Sequence, residues 1–196
     1  FTIDSDGNIT AVKTQSEGNN LEHDDDQGAA SVLHNSLVKV DSNTIALAYA
    51  GAGEDGFIST FTISSSGVIT PIQIQNHANT SEEDDVANVE HDEDRASYNS
   101  LVHVVSDTYA LAYTSHGEDG FISTFTIDSD GNITAVKTQS EGNNLEHDDD
   151  QGAASVLHNS LVKVDSNTIA LAYAGAGEDG FISTFTISSS GVITPI

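Results

Sequence analysis

Two stretches, Thr44-Ile45-Ala46-Leu47-Ala48-Tyr49-Ala50 and Phe57-Ile58-Ser59-Thr60-Phe61-Thr62-Ile63, decide the fold. In the first, Ile45, Leu47 and Tyr49 point one way while Ala46 and Ala48 point the other; in the second, Phe57, Ser59, Phe61 and Ile63 alternate with Ile58, Thr60 and Thr62. A period of two residues, rich in β-branched and aromatic side chains, belongs to a pleated strand and not to a helix. Working outward, Ser36 to Val40 and Val68 to Ile74 complete a set of four strands. The turns between them are Asp41-Ser42-Asn43, Gly53-Glu54-Asp55-Gly56 and Ser64-Ser65-Ser66-Gly67, where glycine supplies the positive φ of a tight hairpin. Each such unit is an antiparallel meander. One small sheet has two faces to cover and is marginal alone, so neighbouring units must supply the cover.

The neighbours are present as repeats. Residues 1–72 recur letter for letter as residues 125–196. Inside that period lies a second, imperfect copy: residues 37–63 and 101–127 agree at 20 of 27 positions, so the length difference between the unit types falls in the acidic stretch that precedes them. The division that follows is a strand pair at 1–12 completing a preceding unit, repeat unit A at 13–72, unit B at 73–136, and an identical copy of unit A at 137–196. Stretches 15–31, 76–97 and 139–155 hold 18 of the 31 acidic residues and read as solvated connections.

A four-stranded meander recurring every 60 or 64 residues is the sequence form of a β-propeller blade. The runs Asn35-Ser36-Leu37-Val38, Ala46-Leu47-Ala48-Tyr49, Gly53 to Ile63 and Gly67-Val68-Ile69-Thr70 resemble the propeller-type tandem repeats of large secreted or surface microbial proteins. The fold class is therefore all-β, tandem four-stranded antiparallel meanders read as β-propeller blades, with a stacked-sheet or β-solenoid array as the alternative. A ring takes about four to eight blades. Three units cannot close one, so the chain is expected either to associate with copies of itself or to be part of a longer array.

Composition narrows the function. Five Lys and Arg against 31 acids give a net charge of -26, which repels nucleic acid. Without cysteine there is no disulfide framework, thiolate metal site or catalytic thiol. No apolar run is long enough for membrane insertion. High negative charge, absence of Cys and Met, and abundant Ser, Thr and Asn suit an extracellular or cell-surface setting. There the tripeptides at Asn8, Asn79 and Asn132 would be glycosylation acceptors.

The candidate chemistry is acidic. Glu22-His23-Asp24-Asp25-Asp26 and Glu90-His91-Asp92-Glu93-Asp94 share a Glu-His-acid core; clustered carboxylates repel one another, and calcium would relieve that repulsion. The candidate metal ligands are Glu22, Asp24, Asp25 and Asp26, and Glu90, Asp92, Glu93 and Asp94, against the alternative of plain solvated loops. Asp4-Ser5-Asp6-Gly7-Asn8 resembles the start of a calcium loop, but its counterpart Ser64-Ser65-Ser66-Gly67 keeps only the turn glycine, which favours a hairpin. The Gly-Glu-Asp-Gly turns at 53–56, 117–120 and 177–180 should emerge at one end of the blades as a row of carboxylates, with turn geometry accounting for both glycines. His34, His103 and His116 have no matching histidine in the other unit type and read as ordinary residues. No Gly-x-Ser-x-Gly elbow, phosphate loop or repeated cationic clamp is present, so the expectation is a protein that is not an enzyme. It would be an extracellular structural repeat self-associating into an assembly or filament, or alternatively a calcium-dependent adhesin or carbohydrate-binding propeller that meets surface glycans.

Overall fold

The alternation at 44–63 folds as read. The computed structural model describes residues 33–51, 54–73, 89–92, 95–134, 144–148, 156–175, 177 and 179–196, and these form three antiparallel sheets. The first contains β1 (Leu33–Lys39), β2 (Thr44–Ala50), β3 (Gly56–Ile63) and β4 (Ile69–Gln73), paired in that order, with β5 (Val89–Asp92) also on β3. The second contains β6 (Ser97–Val105), β7 (Thr108–Thr114), β8 (Gly120–Thr126) and β9 (Asn144–Asp148). The third contains β10 (Leu157–Lys163), β11 (Thr168–Ala174), β12 (Gly180–Ile187) and β13 (Ile193–Pro195). Four-stranded meanders in tandem, sheet against sheet, form a β-propeller-like arc of three blades.

One feature differs from the sequence reading. The outer row of a blade is shared by two short strands: β4 pairs with Phe61–Ile63 of β3, while β5 pairs with Gly56–Ile58. In the second blade β9 takes the place of β5, and a single Ile127–Ile133 bridge stands where β4 would be. Part of the acidic connections at 76–97 and 139–155 is thus a strand rather than a solvated loop. The edge of β3 or β8 has unpaired backbone groups that need partners, and the alternating Val-Glu-His-Asp run can supply them.

The blades stack in chain order, β1 and β10 lying on either side of β6. Ala46, Ala48 and Ile58 of the first blade pack on Leu101, Leu111, Tyr109 and Phe125 of the second. Ala110, Ala112 and Ile122 of the second pack on Ile169, Leu171 and Phe185 of the third. Alanine lets the sheets approach while the larger partners fill the gap, which explains the Ala-Leu-Ala-Tyr pattern. Leu47, Tyr49, Phe57 and Phe61 form a further buried cluster on the other face of the first blade.

Each joint repeats the same polar contacts. Thr60 Oγ1 donates to the Gly131 carbonyl at 2.7 Å, and Thr124 Oγ1 to the Gly191 carbonyl at 2.6 Å. The Leu101 N–H donates to Ser36 Oγ at 2.9 Å, and the Leu161 N–H to Ser100 Oγ at 2.8 Å. The backbone N–H groups of Ala96 and Val156 donate to the carbonyls of Glu54 and Glu118, each at 2.9 Å. Repetition of donor, acceptor and distance makes the joint a property of the repeat.

Candidate functional site

The two described Glu-His-acid segments, at 90–92 and 146–148, are built around their histidine. In β5, Asp92 faces Gly56 and Glu90 faces Phe57, so His91 is the extra residue of a β-bulge; His147 holds the same place in β9, between Asp148 facing Gly120 and Glu146 facing Phe121. Each ring meets a tyrosine of the next blade edge-on at 4.7 Å, His91 on Tyr113 and His147 on Tyr173. Each also fills the space above a glycine: a Cβ added at Gly56 or Gly120 would lie 2.5 Å from the ring. All four ring nitrogens are sealed from solvent without a hydrogen-bond partner. Burial therefore favours neutral imidazole and pushes each pKa down to about 4, opposed at His91 by the nearby Asp92 carboxylate.

This packing revises the reading of the Gly-Glu-Asp-Gly turn. Its first glycine serves the turn, with φ of 84° at Gly117 and 75° at Gly177. At Gly56 and Gly120 the last glycine is instead required by the approach of the histidine. No sequence signal pointed there, because the two residues lie far apart in the chain.

Of the proposed calcium ligands, Glu22, Asp24, Asp25, Asp26, Glu93 and Asp94 lie outside the described residues, while Glu90 and Asp92 flank His91 on β5. Asp92 already works inside the protein: its Oδ2 accepts from Ser115 Oγ at 2.6 Å and its Oδ1 from the Arg95 N–H at 3.1 Å. Among the described residues no group of three or more His, Asp or Glu side chains is gathered as a metal site. The Asp-Ser-Asp-Gly-Asn run is described in its second copy, 128–132, where Asp128 Oδ1 accepts from the backbone N–H groups of Asp130 and Asn132, both at 2.9 Å. The hydrogen bonds from Asn132 and these turn amides lower the Asp128 pKa, and the run is a hairpin turn there.

At the blade end that carries the Gly-Glu-Asp-Gly turns, a second arrangement escaped sequence reasoning. His34, Tyr98 and His158 occupy equivalent positions in β1, β6 and β10, each within the register shift that opens its strand. Their rings form a column, with centroids 4.5 Å apart for His34–Tyr98 and 4.9 Å for Tyr98–His158. All three have left-handed backbone, φ 56°, 53° and 58°. That conformation costs a bulky L-residue of order 1–3 kcal/mol and concentrates at sites with a task. Sequence comparison missed the column because it sought histidine opposite histidine and met tyrosine.

Arg95 stands beside the column. Its Nε lies 3.3 Å from Glu54 Oε2, and a terminal guanidinium nitrogen 3.9 Å from Glu118 Oε1. Two of the expected row of carboxylates are thus bridged by one cation; Glu178, the third, lies outside the described residues. These groups are partly exposed, so each pair contributes little to stability, about 0–1 kcal/mol. Burial, then the Arg95 charge, lowers the His34 pKa. His103 Nε2 contacts the Ser106 carbonyl at 2.6 Å, and His116 opens a short 3-10 turn. Imidazole, phenol, guanidinium and carboxylate groups at one blade end can hydrogen-bond and stack against a polar ring.

No family model and no curated protein matches the chain. Among solved structures it is similar to the periplasmic gluconolactonase PpgL of Pseudomonas aeruginosa, with a TM-score of 0.54 and 15% sequence identity over 83% of this chain. The chain spans 44% of that protein's length. At this identity the likeness establishes the propeller-like fold alone. It nevertheless corrects the expectation that the chain is not an enzyme: the similar structure is an enzyme, so the architecture gives no ground for excluding catalysis. The missing elbow and phosphate loop exclude little, because those motifs are contiguous in sequence, whereas blade stacking brings together residues far apart in the chain, as it does Glu54, Arg95 and Glu118. Among the described residues no helix is long and apolar enough to cross a membrane.

Proposed function

We propose that the chain is a blade-repeat module of an extracellular or cell-surface β-propeller that works in a larger assembly, with a further blade of the same repeat covering the bare face of its third blade. One observation carries this reading. Ile58 and Ile122 are fully buried between blades, whereas Ile182, the same residue of the third blade, is 78% exposed. A face built to the same pattern and left bare is a face whose partner is another blade. Light scattering over a concentration series tests it: the expected masses are multiples of 20.5 kDa, and a constant 20.5 kDa would refute assembly by this chain.

A second reading concerns what the module meets. The column of His34, Tyr98 and His158 beside Glu54, Arg95 and Glu118 suits a polyhydroxylated ligand such as a glycan, whose ring would stack on the aromatic edge and whose hydroxyls would bond to the charged groups. Calcium held by the acidic segments would strengthen such binding. Titration with sugars, with and without chelator, reads binding, and the same titration with a sugar lactone reads turnover. A Tyr98→Ala chain that binds and turns over as well as the parent would sink the assignment to the column.

A further inference from the structure

Among the described residues, no strand pairs with the outer edge of β12 at Gly180–Ser183. On β3 and β8, the Gly-Phe-Ile-Ser edge begins the pairing with a Glu-His-acid strand: β5 pairs with Gly56–Ile58 and β9 pairs with Gly120–Ser123. On β12 the described outer pairing starts only at Thr184, whose carbonyl accepts from the Ile196 N–H, and continues along β13. Gly180, Phe181, Ile182 and Ser183 thus have no described partner there. The space above Gly180 is open, with nothing within 4 Å of an added Cβ. A groove of about 310 Å³ runs beside this edge, lined by Ile182, Ser183, Thr184, Pro195 and Ile196 on one side and Leu145 on the other.

The sequence contains the missing strand. The chain has three Gly-Phe-Ile-Ser edges, at 56–59, 120–123 and 180–183, and three Glu-His-acid segments, at 22–24, 90–92 and 146–148. Two segments are spent on the first two edges, each following its edge in the chain. The 180–183 edge has no described partner, and residues 20–24 lie outside the described residues. Residues 20–24, Asn-Leu-Glu-His-Asp, are letter-identical to β9, and the 180–183 edge is letter-identical to the one β9 occupies. Blades one and three lie on opposite sides of the second.

We infer that the free edge at Gly180–Ser183 accepts residues 20–24 of a second copy of the chain as its fourth strand, joining copies head to tail. This rests on the assembly reading above and specifies its joint. The pairing would repeat β8 with β9: Asp24 opposite Gly180, Glu22 opposite Phe181, Leu21 opposite Ile182, and His23 over Gly180. Backbone hydrogen bonds would supply affinity, as in other strand additions, and the histidine over glycine would fix the register. Edge and segment are different surfaces, so the contact is heterologous and either closes a ring or propagates.

Gly180→Val is the selective test. The glycine is not in the left-handed region and its surroundings are empty, so valine leaves the single chain folded, yet it fills the place the incoming His23 ring needs. The expected result is an unchanged circular dichroism spectrum and melting temperature, with at least a tenfold higher concentration needed to exceed 20.5 kDa in light scattering. A peptide with the sequence of residues 14–26, added in excess, should likewise return the parent chain to monomer, whereas the His23→Asp peptide should not. If the parent assembles and Gly180→Val assembles with the same concentration dependence, strand addition at this edge is wrong while the assembly reading stands. If the parent stays at 20.5 kDa throughout, both fall.

Discussion

The first and third blades share one sequence, residues 33–72 repeating as 157–196, yet they differ in burial. Ala48 is sealed in the first blade while Ala172 is exposed in the third, and Ile58 and Ile182 stand at opposite extremes. The first three strands have the same limits in both, and the second and third the same register, from Thr44 opposite Thr62 to Ala50 opposite Gly56, and from Thr168 opposite Thr186 to Ala174 opposite Gly180. Local sequence therefore determines the meander, and the neighbour determines the core. In such a repeat, stability resides in joints between units as much as in the units.

The comparison breaks most sharply at its isoleucines. Ile58→Ala should cost about 2–5 kcal/mol in urea unfolding, as the loss of a buried aliphatic side chain does. Ile182→Ala in the monomer should cost about 0.5 kcal/mol or less, as at an exposed site. Equal losses would mean that the third blade's face is covered in solution.

Acid acts on the two histidine joints. The neutral rings of His91 and His147 take a proton only near pH 4 when folded, against an ordinary value of 6.5. Unfolding therefore takes up protons between these limits, and stability present above pH 6.5 is lost as pH falls toward about 4. At about 1.4 kcal/mol per pKa unit, the loss is up to roughly 3 kcal/mol per histidine. His147→Gln should remove its share of the slope in melts from pH 7 to 4, and an unchanged slope would show the ring to be wet.

Glycine gives the next contrast. Gly120→Val drives a side chain into His147 and should destabilise by about 1–3 kcal/mol, as overpacking does, while Gly180→Val should leave the monomer's melting temperature unchanged. Arg95→Ala should move stability by less than about 1 kcal/mol, because its two ion pairs are partly exposed. A larger loss on thermal melting would indicate that Arg95 acts as a structural clasp.

These contrasts follow how far the molecule was legible in its sequence. Period-two alternation and glycine turns identified the strands because both act within a few residues: Thr44–Ala50 was read to the residue, and Ile69–Gln73 lies within the expected Val68 to Ile74. β5 was hidden by charge, since an acidic run looks solvated until the bulge turns its one histidine inward. The His34–Tyr98–His158 column was hidden by chemistry, since two residue types share a place that only backbone geometry makes equivalent. The bridge from Arg95 to two turns could not be seen because it joins residues brought together by blade stacking.

The central claim, that a further blade buries the third blade's face, is tested most directly by thiol labelling in this cysteine-free chain. Ile182→Cys should react at the rate of a free thiol when dilute and at least tenfold more slowly as concentration drives assembly, while Ile58→Cys should stay protected throughout. An Ile182→Cys chain that labels at one fast rate at every concentration, with its fold intact, would contradict the account.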